Sequence, residues 1–235
     1  VIKIYFSEPE EVIYNFLRAR VDEVTRTGLS NRMTADTQNF SGNASDTEFT
    51  LTEQPECIVS VVVDGVTQIP YTAYNIDLDN KKIKFATAPA SGTDNIVVSF
   101  KKGSNWIYPD LPRVDLSKNN FPRIGSWQIS KTSGFEEVGD QSNTYDTVVF
   151  QIDVLSYKDL LCEVSGESFS GPDVTRYLAR QVENAFKDYA KTDLIGVLYD
   201  FQILDNSPAP YQSPLNIFQR IMQIRFNMRN FRRLP

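Results

Sequence analysis

The chain has no histidine and only two cysteines in 235 residues. Without imidazole there is no Ser/His or Cys/His nucleophilic centre and no histidine-based zinc site. Cys57 and Cys162 are too few for a four-thiolate metal site, and both sit in apolar or strand-like stretches, so buried free thiols are favoured over a disulfide. Also missing are the glycine-rich phosphate signatures GxxxxGK[ST] and GxGxxG. No run approaches the roughly 18 apolar residues of a membrane span, and the first residues, VIKIYFSEPEE, lack the basic region and apolar run of a signal peptide. The chain therefore reads as soluble and made in the cytoplasm, with no membrane partner and no cofactor. Basic residues are outnumbered, 24 against 30 acids, and the net charge of -6 disfavours a nucleic-acid clamp. That balance still suits a wall past which DNA slides.

What is present is enough apolar mass for a core, 41% of residues, which argues against a disordered chain. A helix is expected over residues 8 to 26. Ser7 is its cap, Glu10 the returning half of a capping box, and Pro9 is tolerated in the first turn. Val12, Ile13, Phe16, Leu17, Val21 and Val24 form its apolar stripe. From about Asn31 to Gly103 the character changes to short β-rich runs at 57–65, 71–77, 81–89 and 95–103. Asp64-Gly65, Asp79-Asn80 and Ser91-Gly92 mark turns between them. Residues 104–125 are rich in Pro, Asn and Asp and read as an irregular connection, with a short strand at 123–130. The longest strand signal follows: Val148, Phe150, Ile152 and Val154 alternate with a polar set that includes Gln151 and Asp153. A second amphipathic helix is expected at 171–189, capped by Ser170 and Asp173. Closing strands are expected at 195–204 and 217–228.

The fold class that follows is α+β. A mixed or antiparallel sheet carries two amphipathic helices on one face, and its other face is left to water or a neighbour. The expected division is a discontinuous main domain, 1–34 with 104–235, interrupted by a small antiparallel β domain at 35–103.

Two resemblances carry the functional expectation. Val63-Asp64-Gly65, Tyr74, Ile83-Lys84-Phe85, Ala88-Pro89, Gly92 and Val97-Val98-Ser99-Phe100 resemble a β-module frequent in structural proteins of tailed viruses. The remainder is similar to tail-terminator and tail-completion proteins of tailed bacterial or archaeal viruses. That similarity rests on the leading helix, Ile107–Arg113, Asn120–Ser130, the strand entering Tyr157-Lys158-Asp159, and the helix-strand-strand ending. It implies a virion protein of the neck, made in the host cytoplasm and assembled as a hexameric ring that caps the tail tube. Its partners would be the tail tube protein and the head connector, with sheath, collar or fibre proteins outside. DNA would pass only transiently through the channel. Compact members lack the inserted β-module. A head-side stopper, a tube subunit and a carbohydrate- or surface-binding module are the competing expectations.

Candidate interface residues are Pro109, Pro112, Arg113, Pro122 and Arg123, in a Pro-stiffened loop at a ring contact, with the two arginines as inter-subunit ion-pair partners. The competing reading is an ordinary surface crossing. Arg225, Arg229, Arg232 and Arg233 form a basic arm with Phe226 and Phe231 in an acidic protein, suited to a protein partner before DNA, or else a solvated end. Asp153 and Asp159 beside Tyr157 read as solvated acids, not a catalytic cluster, and no enzymatic activity is expected. Trp106 and Trp127 read as anchors of the irregular connection.

Overall fold

A computed structural model describes residues 9–24, 32–104, 107–108, 122–137, 140–164, 167–211 and 216–231. Helix α1 (Pro9–Val24) begins with proline where no intrahelical N–H is needed, and Glu10 and Glu11 favour the positive end of its dipole. Ser7 lies outside the described residues. The Glu10 carboxylate accepts from the backbone N–H of Gln128 at 3.4 Å.

Seven strands follow: β1 (Arg32–Gly42), β2 (Glu48–Thr50), β3 (Cys57–Val63), β4 (Val66–Thr67), β5 (Tyr74–Asp77), β6 (Lys82–Phe85) and β7 (Gly92–Ser104). They make a four-stranded sheet, β1-β7-β3-β4, and a three-stranded sheet, β2-β6-β5. Asp64 and Gly65 both take positive φ, 50° and 77°, as the tight β3–β4 hairpin demands, with Val63 facing Val66. The two sheets share one core, in which Ile58, Val61, Ile96, Val98 and Phe100 from the first meet Phe49, Tyr74, Ile83 and Phe85 from the second. Strands β1 and β2 were not expected from the sequence. β1, RMTADTQNFSG, is held only along β7 at the sheet edge, so it needs no apolar alternation.

The second set comprises β8 (Ile107–Tyr108), β9 (Arg123–Glu137), β10 (Asp140–Tyr157), the small hairpin β11 (Cys162–Val164) and β12 (Glu167–Phe169), α2 (Gly171–Asp193), β13 (Leu198–Pro208) and β14 (Ile217–Phe231). The order β13-β14-β10-β9-β8 makes one five-stranded sheet, antiparallel except for β8 against β9. Both helices lie on one face, α2 over β10 and β14 and α1 over β8 and β9, so the α+β architecture expected from the sequence is what the chain adopts. Val148, Phe150, Ile152 and Val154 are fully buried beneath them, with Met222, Ile224 and Phe226 of β14. Phe186 of α2 packs its ring 4.8 Å from Phe16 and 5.8 Å from Phe226, tying helix to helix and helix to sheet. Both cysteines are buried and free.

Three local expectations are corrected. β9 is a 15-residue strand, because β10 imposes a ladder on a polar segment that has little periodicity of its own. At α2, Ser170 is the N-cap but makes no side-chain cap bond. Its carbonyl accepts from Asp173 and Val174, and the Asp173 carboxylate pairs with Arg176 at 3.2 Å instead of returning. Finally, α2 runs to Asp193, whose carboxylate Arg20 of α1 holds at 2.6 Å, so β13 begins at Leu198 rather than 195.

Candidate functional site

The face of the five-stranded sheet away from the helices is half-buried at Val149, Gln151, Gln223 and Arg225 and buried at Asp153 and Leu155. Alternation along β10 and β14 places Thr147, Val149, Gln151 and Asp153 on that face beside Ile221, Gln223, Arg225 and Asn227. Trp127 of β9 joins them opposite Gln151, half-buried, within the stretch where a strand was expected at 123–130. Trp106 lies outside the described residues.

The polar side chains of this face bond across strands. Asn227 donates to Asp200 at 3.0 Å and accepts from Thr147 at 3.1 Å, and Arg225 donates to Gln202 at 2.6 Å. Asp153 is fully buried, which overturns its reading as a solvated acid. Gln219 donates to it at 3.0 Å and Gln151 at 3.3 Å. Burial pushes its carboxyl above the ordinary carboxylate range, and the two amide donors act against that shift. At the same end Leu155 and Ile217 form a small buried cluster with Tyr157 and Leu160 at its margin. The face thus mixes apolar side chains (Val149, Ile221, Trp127) with amides, a hydroxyl and two charged groups whose donors and acceptors are bonded across strands.

The sequence-derived interface residues do not converge on one spot. Pro109, Pro112, Arg113, Arg232 and Arg233 lie outside the described residues. Pro122 is half-buried just before β9. Arg123 is 8% exposed and stacks its guanidinium 3.9 Å over Tyr108, so it is engaged inside its own subunit and not offered as an inter-subunit ion-pair partner. Arg225 belongs to the open sheet face, while the backbone of Arg229 continues β14 opposite Tyr145.

Sequence reasoning missed a second face on α1. Asn15 and Arg18 are buried polar residues turned toward the β-rich unit. Asn15 accepts from the Ile58 N–H at 3.0 Å and donates to the Ile58 carbonyl at 3.4 Å. Arg18 pairs with the Glu56 carboxylate, donates to the Glu56 carbonyl at 3.2 Å and stacks 4.8 Å over Tyr14. The nearly buried Lys101 of β7 donates to the Ala19 carbonyl at 3.3 Å. Glu11, Tyr14, Asn15 and Arg18 recur at helical spacing, a signal that was present but has the composition of a solvated face.

No helix among the described residues is long and apolar enough to cross a membrane, and none of their Cys, Asp and Glu side chains group in threes to hold a metal ion. The fold defines an α+β protein with both helices on one side of its main sheet. No known family model and no curated protein matches the chain.

Proposed function

We propose that this chain is a non-enzymatic structural protein of a tailed virus, a ring subunit at the head-tail junction that caps the tail tube and joins it to the head connector. The observation that carries the reading is the sheet face away from the helices, half-buried along much of its length, whose polar side chains are bonded to one another and so lose little freedom on meeting a partner. The resemblance of Phe49–Phe100 to virion β-modules supports the same reading, and Closed symmetry explains how a modest subunit encloses a channel wide enough for transient passage of DNA. In this arrangement the tube protein and connector meet opposite faces of the ring, and the β-rich unit points outward toward sheath, collar or fibre proteins.

The test is negative-stain imaging of particles that carry a bound label on this chain, together with the mass of the purified protein. A single labelled ring at the neck is the expected result. Label repeated along the tail makes the chain a tube component instead, label confined to the head portal makes it a stopper, and unlabelled particles overturn the virion reading.

A further inference from the structure

We propose that the apolar pocket at the C-terminal end of α2 is a socket for Leu161 of a second copy, an inference that rests on the ring reading for the number of copies that associate. The socket comes from an irregularity in β13. Its ladder runs from Tyr199 opposite Asn227 to Gln202 opposite Arg225, so Asp200 and Phe201 together stand opposite Phe226 alone. Asp200 takes a positive φ of 53° in this bulge, and Phe201 packs against Phe186 and Phe226 with ring centroids 6.4 and 6.3 Å away. The space left beside the last turn of α2 has a volume of about 170 Å³, walled by Ala190, Phe201 and Phe226, with Lys191, Ile195 and Asp200 exposed at its rim. A cavity of roughly 150 Å³ walled by Leu, Ile and Phe stays dry and takes up an apolar molecule the size of benzene, so this pocket suits a single leucine side chain. Beside Ile195 the backbone is braced by the β-rich unit, since a Cβ on Gly196 would lie 2.5 Å from the Pro70 carbonyl oxygen.

Exposure, position and charge select the occupant. Leu161 is 73% exposed, the most of any large apolar side chain among the described residues. It stands in the turn after β10, at the opposite end of α2, where Gly171 at the start of the helix packs on the Tyr157 carbonyl and the Lys158 Cα. The 23 residues of α2 span about 34 Å at ~1.5 Å per residue, so Leu161 cannot enter the pocket of its own subunit. Lys158 and Asp159 are exposed beside Leu161, as Lys191 and Asp200 are at the pocket. Among the described residues the side chains of Lys158, Asp159 and Lys191 enter no ion pair or hydrogen bond, and Asp200 accepts from the neutral amide of Asn227, which leaves its charge in place. A seated Leu161 sets Asp159 against Lys191 and Lys158 against Asp200, each pair of opposite sign. A contact between different surfaces at opposite ends of the subunit is head-to-tail, the kind that closes into a ring.

The test is sedimentation velocity of the full chain at rising concentration. The chain is expected to associate, and Leu161→Asp and Ile195→Asp each to weaken association about tenfold or more, one by charging the inserted side chain and the other by charging the mouth that receives it. Mixing the two variants is the sharper readout. Leu161→Asp keeps an intact socket and Ile195→Asp keeps Leu161, so together they are expected to form a dimer and nothing larger, while neither associates with itself. Asp159→Lys is expected to weaken association, and Lys191→Asp added to the same chain to restore it. Far-ultraviolet circular dichroism checks that every variant is folded. A chain that stays monomeric, association indifferent to Leu161→Asp and Ile195→Asp, or variants that fail to complement each other overturns the proposal. So does an equal loss from Val66→Asp, at an exposed apolar position on the β-rich unit, which would mean unspecific apolar association. A labelled neck ring with association indifferent to Leu161→Asp and Ile195→Asp retires this socket and leaves the ring reading standing; complementing variants without a labelled ring on particles do the reverse.

Discussion

Asp153 shows how far a single side chain departs from what its neighbours in sequence suggest. It occupies a polar register position, yet its carboxyl is desolvated and accepts from the side-chain amides of Gln151 and Gln219. Its folded-state proton affinity is raised above the ordinary value of 3.8. The folded chain therefore keeps this proton to higher pH than the unfolded chain does. The associated stability is complete below that value and is lost as pH rises through the folded one. Asp153→Asn is accordingly expected to be more stable than the parent at neutral pH by about 1 kcal/mol, with the advantage fading toward roughly pH 3. Thermal melts across that range check the sign. A variant less stable at neutral pH would mean that the amide bonds to the carboxylate outweigh its desolvation.

At the scale of elements, legibility followed burial. The β10 alternation and the α2 stripe were readable because a long apolar face must point at a core, and Val148, Phe150, Ile152, Val154, Val174, Leu178, Val182 and Phe186 all do. The second half of β9 and all of β1 were not readable, since SKTSGFEE and RMTADTQNFSG take their extended form from a partner strand rather than from their own pattern. The second face of α1 was also hidden, because Asn15 and Arg18 are buried by a unit that packs on the helix from outside the main sheet. The start of α2 offers a sharp test. A Cβ on Gly171 would lie 2.5 Å from the Tyr157 carbonyl oxygen and 3.0 Å from the Lys158 Cα, both backbone atoms. Gly171→Ala gains up to ~1 kcal/mol of intrinsic helix preference, yet the forced shift of α2 off β10 is expected to leave a net loss of about 2 kcal/mol. Urea unfolding of the variant measures it.

At the scale of the molecule, α1 is shared by two cores: Val12, Ile13, Phe16 and Leu17 enter the helix-sheet core, while Asn15, Arg18 and Ala19 meet the β-rich unit. Arg18→Ala is expected to lower stability by about 2 kcal/mol, since the largely buried guanidinium is lost while Glu56 keeps partial access to water. Urea unfolding gives that loss, and faster amide exchange at Ile58 would locate it at the junction. The pairing of β1 with β7 adds a topological consequence. Arg32 faces Ser104, so the polypeptide leaves the body and comes back through adjacent positions about 5 Å apart. Splicing there needs only a tight turn, and an ancestor could gain or shed the whole excursion without rerouting any other strand. The Arg18, Asn15 and Ala19 contacts work against shedding it, because excision would strand a guanidinium and an amide on bare helix. An excursion so easily joined at its ends is held in place by what α1 makes with it rather than by its own connections.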